Sequence, residues 1–414
     1  MSETSGKLLE KKKTLKSKFQ EFFSRVPLLG WLLGALIAVM LEYYLGDPLA
    51  DVLGLPKVPV LFGFVIICFV LLIYALPIGA VARLSASLTN RLVAKLFELP
   101  LLISVVIHLG LLYAILHLWS DISAYRVLTL KLTMIAIMVT LSLNVINGYM
   151  GEFSCSHPAF MALGAYGASV FTVALFVKDK LFGAAILPAA LGPFMFPIAL
   201  ILGGIVAALG ALAIAIPSFR TRGDYLAIIS LAFMFIVKSL IENLEVVGGP
   251  RGLSNQPDYA NLPTVFMWTI ACIWIINNFV RSTMGKALNA VRDDEIAANA
   301  MTVDTRYTKI VAFLFAAFWA GVAGGLFAHV LRYVNPGTFG LQKLAEVLAM
   351  VYFGGLNSVY GSIVGAVSLS MLSEFLRPLE IFKWIIIPLL LILVMIYRPT
   401  GLIAFKEFDV RKLI

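Results

Sequence analysis

Residues 128–170 read LTLKLTMIAIMVTLSLNVINGYMGEFSCSHPAFMALGAYGASV. The apolar run 128–147 reaches the length of about 20 residues that a helix needs to cross hydrocarbon. It ends in Asn144 and Asn147, and Gly148 and Gly151 then break the helix. Pro158 suits the first turn of a new helix, with Ser156 or His157 as its cap. Gly164, Ala165, Gly167 and Ala168 give that helix a small face for close packing. A break inside a membrane leaves backbone groups unpaired, so it must line a cavity or be covered by protein, and its amides favour an anionic group such as a carboxylate. The plainer reading of the same residues is a short polar loop between two ordinary spans.

The rest of the chain repeats the theme. It is 61% hydrophobic and only 13% charged over 414 residues, where a soluble domain carries about 25% charged residues. Apolar runs separated by short polar connections predict an all-α, polytopic transmembrane helical bundle of about 10–12 apolar segments with broken helices. A β-barrel would show alternating segments of about ten residues instead. The net charge of +9 is topological rather than a nucleic-acid signal. Of 32 basic residues, 21 lie in 1–26, 81–98, 220–222, 281–309 and 398–414. That bias marks cytoplasmic loops and puts both termini inside.

Four parts follow from this. Residues 1–26 form a basic cytoplasmic N-terminus able to lie on anionic lipid. Residues 27–125 form N-terminal extra spans, the first reading as an uncleaved anchor and 81–99 as an amphipathic surface segment. Residues 126–398 form the core, and 399–414 a cytoplasmic tail. Arg220 and Arg222 place their turn inside, and Asp224 can cap the helix after it. Lys238 can pair with Glu242 one turn on. Cys68, Cys155 and Cys272 lie in or beside apolar runs without metal or disulfide spacing and read as packing residues.

Three places carry polar detail. The first is 281–309, the longest clearly polar stretch between apolar runs. On a helical wheel Ala287, Leu288, Val291, Ala298 and Met301 share one face, with Asp294 and Glu295 in the same arc. Lys286, Asn289, Arg292 and Asp293 share the other, with Ile296 among them. The membrane core is expected to hold one face while a soluble partner takes the other; a solvated amphipathic loop helix is the plainer alternative. The second place is FGGLNSVYGSIVGA (353–366), where Gly355, Ser358 and Gly361 repeat the spacing of Gly151, Ser154 and His157. Two breaks in corresponding places point to an internal duplication and a translocation pathway. The third is VGGPRGLSNQPDYANLP (247–263), external by parity, where Gly248, Gly249, Gly252 and Pro257 make a shaped loop rather than a linker.

Familiar chemistry is missing. No phosphate-binding G-x-x-x-x-G-K-[ST] loop occurs, so ATP is not bound here in that way. His108, His117, His157 and His329 form no metal pair, so no metal site is expected, and no G-x-S-x-G elbow exists. An intramembrane enzyme would have only His157, Ser154 and Glu152 to work with, and polar groups at helix breaks usually satisfy backbone instead. No catalytic residue is expected.

From about Leu128 to Leu402 the chain resembles the membrane permeases of branched-chain amino acid ABC importers, in particular the larger, LivM-type subunit. The motifs that carry the resemblance are GYMGEFSCSHPAFMALGAY, RGDYLAIISLAF, VGGPRGLSNQP, MGKALNAVRDDEIAANAM, FGGLNSVYGSIVGA and YRPTGL, in that order. The chain departs from the family's usual pattern at Phe235, where an acidic residue is common, and at Cys155-Ser156, where Leu-Gly is common. The resemblance implies an inner-membrane transport subunit of a prokaryote, without enzymatic activity or cofactor of its own. It implies two ATPase subunits, a sister permease and an external solute-binding protein as partners. It implies that Gly285, Leu288, Arg292, Asp293, Asp294, Glu295, Ile296 and Ala297 lie in the segment that docks on an ATPase. The expected cargo is a branched-chain or other hydrophobic amino acid. The same architecture importing urea or a short amide, and a stand-alone carrier built on Lys238, are the alternatives.

Overall fold

The computed structural model describes residues 26–52, 68–98, 100–178, 182–219, 225–377, 382–398 and 401–405. The basic N-terminus to Arg25, the turn with Arg220, Arg222 and Asp224, and the tail beyond Phe405 lie outside them. Among the described residues, eight helices are long and apolar enough to cross a membrane. A ninth arises if Cys68–Leu84 and Ala86–Leu96, bent by 65°, count as one span, and Val359–Phe375 and Ile385–Tyr397 are shorter apolar helices. Among the described residues the chain is all-α, with one ladder of two short strands.

The chain divides into two compact units at Val127/Leu128. The first contains α1 (Leu28–Val52), a π-helical turn (Leu71–Ala75) continuing into α2 (Leu76–Leu84), α3 (Ala86–Glu98) and α4 (Leu101–Asp121). It holds a charged cluster that no sequence pattern announced. Arg126 donates to both oxygens of the buried Glu42, at 3.0 and 2.9 Å. Tyr74 also donates to Glu42, and the Trp119 indole donates to Tyr74 at 3.0 Å. The guanidinium lies 5.1 Å from the Trp119 ring centroid. A carboxylate held away from water needs this degree of pairing and hydrogen bonding.

The boundary falls inside α5 (Ala124–Asn144), whose first turn belongs to the first unit; in the second unit this helix is buried on all sides from Ile137 to its end and runs into a π-helical turn, Val145–Met150. Around it come α6 (His157–Phe176), α7 (Gly192–Ser218), α8 (Tyr225–Asn243), α9 (Leu262–Arg281), α10 (Thr283–Asp293), α11 (Glu295–Ala300) and α12 (Thr305–Leu331). The tightest packing is among α6, α7 and α12. Apolar side chains gain little by leaving lipid for one another, so such helices associate through close approach of small residues. Gly164 of α6 lies against the Gly321 backbone of α12, and Gly321 lies against Ala207 of α7.

The last elements are α13 (Leu341–Gly354), α14 (Val359–Phe375) and α15 (Lys383–Tyr397). Met350 backs onto Gly365 and Gly354 onto Gly361, so α13 and α14 are an antiparallel hairpin. With 14 residues, α13 rises about 21 Å, short of the roughly 30 Å hydrocarbon core.

Candidate functional site

The expected single helix over the polar stretch is two. Ser282 opens α10, its hydroxyl donating to the Phe279 carbonyl at 2.6 Å and accepting from the Gly285 N–H at 3.4 Å. The helix stops at Asp294, which is extended (φ −159°, ψ 106°) and caps α11 by accepting from the N–H groups of Ile296 and Ala297 at 2.9 and 3.0 Å. Thr302 then takes a left-handed φ of 69°, and Asp304 caps α12 by accepting from Tyr307 N–H. Capping by a carboxylate satisfies amides that the helix start leaves open. The break resets the helical phase beyond Asp293, and Asp294 and Glu295, which the wheel sets in the apolar arc, are exposed. Met301 is exposed, at 77%, rather than buried. Arg292, ahead of the break and one turn after the buried Leu288, faces inward rather than outward.

Gly285, Leu288, Val291 and Ala298 are buried, and α10 packs on the turn 145–150, α9 and the start of α12. The Arg292 side chain lies across Gly151, whose left-handed φ of 76° and contact with that chain both exclude a Cβ. Its guanidinium donates to Asp293 at 2.7 and 3.0 Å and to the Gly148 carbonyl at 3.4 Å, and sits 5.5 Å from the Phe405 ring centroid. Lys309, on the first turns of α12, donates from Nζ to Glu152 at 2.7 Å and to Glu295 at 2.8 Å. What remains outside is an exposed strip of Asp293, Asp294, Ile296, Ala297 and Met301. Ile296 is 79% exposed on a six-residue helix whose back is held by Ala298 and by the Glu295 ion pair.

The two breaks expected in the membrane interior are turns. The first, 151–156, joins two helices of full spanning length, Ala124–Met150 and His157–Phe176, and lies at the end of the bundle occupied by 283–304. The plainer reading of those residues therefore describes the geometry. Ser156 occupies the cap position of α6 but makes no capping bond; its hydroxyl lies 2.9 Å from that of Ser154. The Ser154 N–H is taken by Asn147 at 3.2 Å and the Cys155 N–H by Ser230 at 2.9 Å. Burial pushes the Cys155 thiol up from its ordinary range, which keeps it protonated. His157 is fully buried, 5.8 Å from the Phe160 ring centroid.

The second turn is the tip of the α13–α14 hairpin. Ser358 caps α14 by accepting from the Gly361 N–H at 3.1 Å, a role that Ser154, its partner in the repeated spacing, does not have. Asn144 joins the two places. Its amide donates to Ser362 Oγ at 2.7 Å, Ser358 C=O at 3.0 Å and Gly355 C=O at 3.4 Å, and its oxygen accepts from Asn357 N–H at 3.1 Å. Residues 402–405 then cover the tip, with Leu402 and Ile403 N–H donating to the carbonyls of Phe353 and Gly354. Asn144, Glu152 and Lys309 were not among the expected site residues; the helix-ending asparagine was the one available signal.

At the far end of α12, whose 27 residues span about 40 Å, the glycine loop is a built structure. Gly248, Gly249 and Gly252 take left-handed φ values of 89°, 54° and 76°. Strand β1 (Leu253–Ser254) pairs antiparallel with β2 (Tyr333–Val334). Just before Pro257, the buried Gln256 donates to the Leu253 carbonyl at 2.9 Å, and Tyr333 OH donates to the Arg251 carbonyl at 2.7 Å.

A glycine-packed bundle of long apolar helices, with a capped polar helix pair at one end and a stitched loop at the other, is a polytopic membrane protein of the transporter class. Residues 125–396 match the family model described as branched-chain amino acid transport system / permease component, and the chain belongs to that family. It is 32% identical over 311 residues to the high-affinity branched-chain amino acid transport system permease protein LivM of Escherichia coli K12, covering 67% of this chain and 69% of the relative. The LivM protein of Salmonella typhimurium gives the same figures. The high-affinity branched-chain amino acid transport system permease protein BraD of Pseudomonas aeruginosa is 27% identical over 148 residues, 35% of this chain and 48% of the relative. No solved structure matches the chain.

Proposed function

We propose that this chain is the membrane-spanning permease subunit of an ATP-binding cassette importer in the inner membrane of a prokaryote, forming half of a translocation pore with a sister permease. Two ATPase subunits supply the work, and an external solute-binding protein delivers branched-chain or other hydrophobic amino acids. The chain itself carries no nucleotide loop and no cofactor, so it relays motion. The segment 283–304 is the handle the ATPase holds, and its displacement opens the pore alternately to either side. On this reading both termini and the handle are cytoplasmic, and the loop 244–261 faces the binding protein. The turns at Gly151, Ser154 and His157 and at Gly355, Ser358 and Gly361 stand next to the handle, at the cytoplasmic mouth of the pathway.

The observation that carries the coupling role is Ile296, presented to water on a short helix fixed from behind. A large apolar side chain so displayed is a hot-spot geometry for a protein partner. The names of the relatives support the cargo class. Ile296→Asp should lower leucine uptake into proteoliposomes at least tenfold and release the ATPase subunits on co-purification, while the variant still inserts. Normal uptake and retention would place the docking face elsewhere. Uptake by the chain alone on an ion gradient would make it a carrier, and ATP-driven uptake of urea but not leucine would change the cargo.

A further inference from the structure

We infer that Glu152, Lys309 and Glu295 form a clamp with one releasable arm, and that this clamp passes movement of the handle to the two spans joined by the 151–156 turn. The inference rests on the coupling reading above and names the residues through which the motion travels.

The geometry has three parts. Lys309 is 9% exposed, near the start of α12, with its ammonium 2.7 Å from Glu152 and 2.8 Å from Glu295. Glu152 belongs to the turn between α5 and α6, and Glu295 opens α11 beside Ile296. One nitrogen therefore ties three separate segments. A cation withdrawn from water needs a charged partner, but it needs only one. Here there are two, and they differ in setting. Glu152 is 26% exposed and Glu295 is 49% exposed, so the Glu295 carboxylate is readily solvated when it lets go. Releasing Glu295 leaves Lys309 neutralised by Glu152, whereas releasing both strands the charge. The pairing thus permits two arrangements, closed on both acids or open on the Glu295 side.

The adjoining contacts are arranged to feel the difference. Arg292, two residues before the hinge at Asp294, lies across Gly151 and donates to the Gly148 carbonyl. Glu152 is the next residue of the same turn. A shift of α11 that pulls Glu295 pulls on Lys309 and Glu152, while the same shift moves Arg292 over Gly151. Lys309 is a positioning residue in this scheme. It touches no cargo and acts through the turn.

The test uses the whole transporter, with ATPase subunits and binding protein, in proteoliposomes. Glu295→Gln is the informative variant, because Lys309 keeps Glu152 and the fold keeps its buried pair. Phe153→Cys, exposed and next to Glu152, reports movement of the turn through its reactivity with a maleimide, with Cys68 changed to Ser and Cys155 and Cys272 buried. In the parent protein, trapping with ATP and vanadate should change the labelling rate severalfold. In Glu295→Gln, measured with the ATPase subunits in saturating excess, the labelling change should fall below twofold and leucine moved per ATP hydrolysed should drop about fivefold. Glu295→Asp should restore part of both. An unchanged labelling response and an unchanged transport ratio in Glu295→Gln would overturn the clamp. Failure of the handle reading looks different: Ile296→Asp would then keep its ATPase subunits.

Discussion

Alanine at Gly164 should lower the melting temperature of the purified permease markedly, while alanine at Gly167, three residues along the same helix, should leave it within error. The difference comes from what each new Cβ would meet. At Gly167 the nearest atoms are 3.5 Å away, an ordinary contact. At Gly164 the Cβ would land on the Gly321 backbone of α12, and Gly321 in turn lies against Ala207 of α7. Backbone atoms cannot rotate aside as a side chain can, so the helices must separate. Overpacking costs about 1–3 kcal/mol where side chains can yield, and here they cannot. Once α6 and α12 part, the close contacts that hold membrane helices together are lost along their length. Thermal unfolding in one detergent, with both variants side by side, decides the matter. Equal melting temperatures would mean that this crossing does not hold the bundle.

Replacing Asn144 with alanine should be the second severe lesion. Four hydrogen bonds converge on this one buried amide. A net hydrogen bond contributes about 0.5–1.5 kcal/mol, and a buried group left unpaired costs about 1–3 kcal/mol. Removing Asn144 abandons the Asn357 N–H and the Gly355 carbonyl at the tip of the α13–α14 hairpin, while the Ser358 carbonyl keeps Ser362, so a loss on the order of 3 kcal/mol follows. Asn144→Asp should be no better, since a carboxylate cannot donate to Ser358 or Gly355 and brings an unpaired charge into the core. Asn243→Ala is the control: that side chain is exposed and bonds only within its own helix. Protease sensitivity of the hairpin, read alongside the melting curve, separates local opening from collapse of the whole bundle.

The all-α, many-span architecture was legible because hydrophobic run length is a one-dimensional property, written directly in the residues. Pairings across the chain are not. The helical wheel treated 285–301 as one cylinder, and Asp294 broke it by capping a second helix. That reset carried Met301 outward. Arg292 lies ahead of the break, and it turns inward because it follows the buried Leu288 by one helical turn. Ser154 and Ser358 share a spacing, yet only Ser358 caps: Ser154 lies two residues before the cap position of α6, in a turn whose amides are taken by Asn147 and Ser230. Lys309 read as one more basic residue on a loop, since nothing local shows that Glu152, far back in the chain, waits for it. The cluster in the N-terminal unit went unannounced for the same reason: Glu42 and Arg126 stand 84 positions apart.

Arg292 and Lys309 also belong to the basic cluster at 281–309 that orients the chain in the sequence reading. On the proposed topology they are charges that face water as the protein inserts and help to hold their segment on one side of the bilayer. Once the bundle closes, Lys309 is enclosed by two acids and Arg292 is laid along Gly151. On that reading the same side chains serve twice in succession, first as an address during biogenesis and afterwards as fastenings of the finished machine.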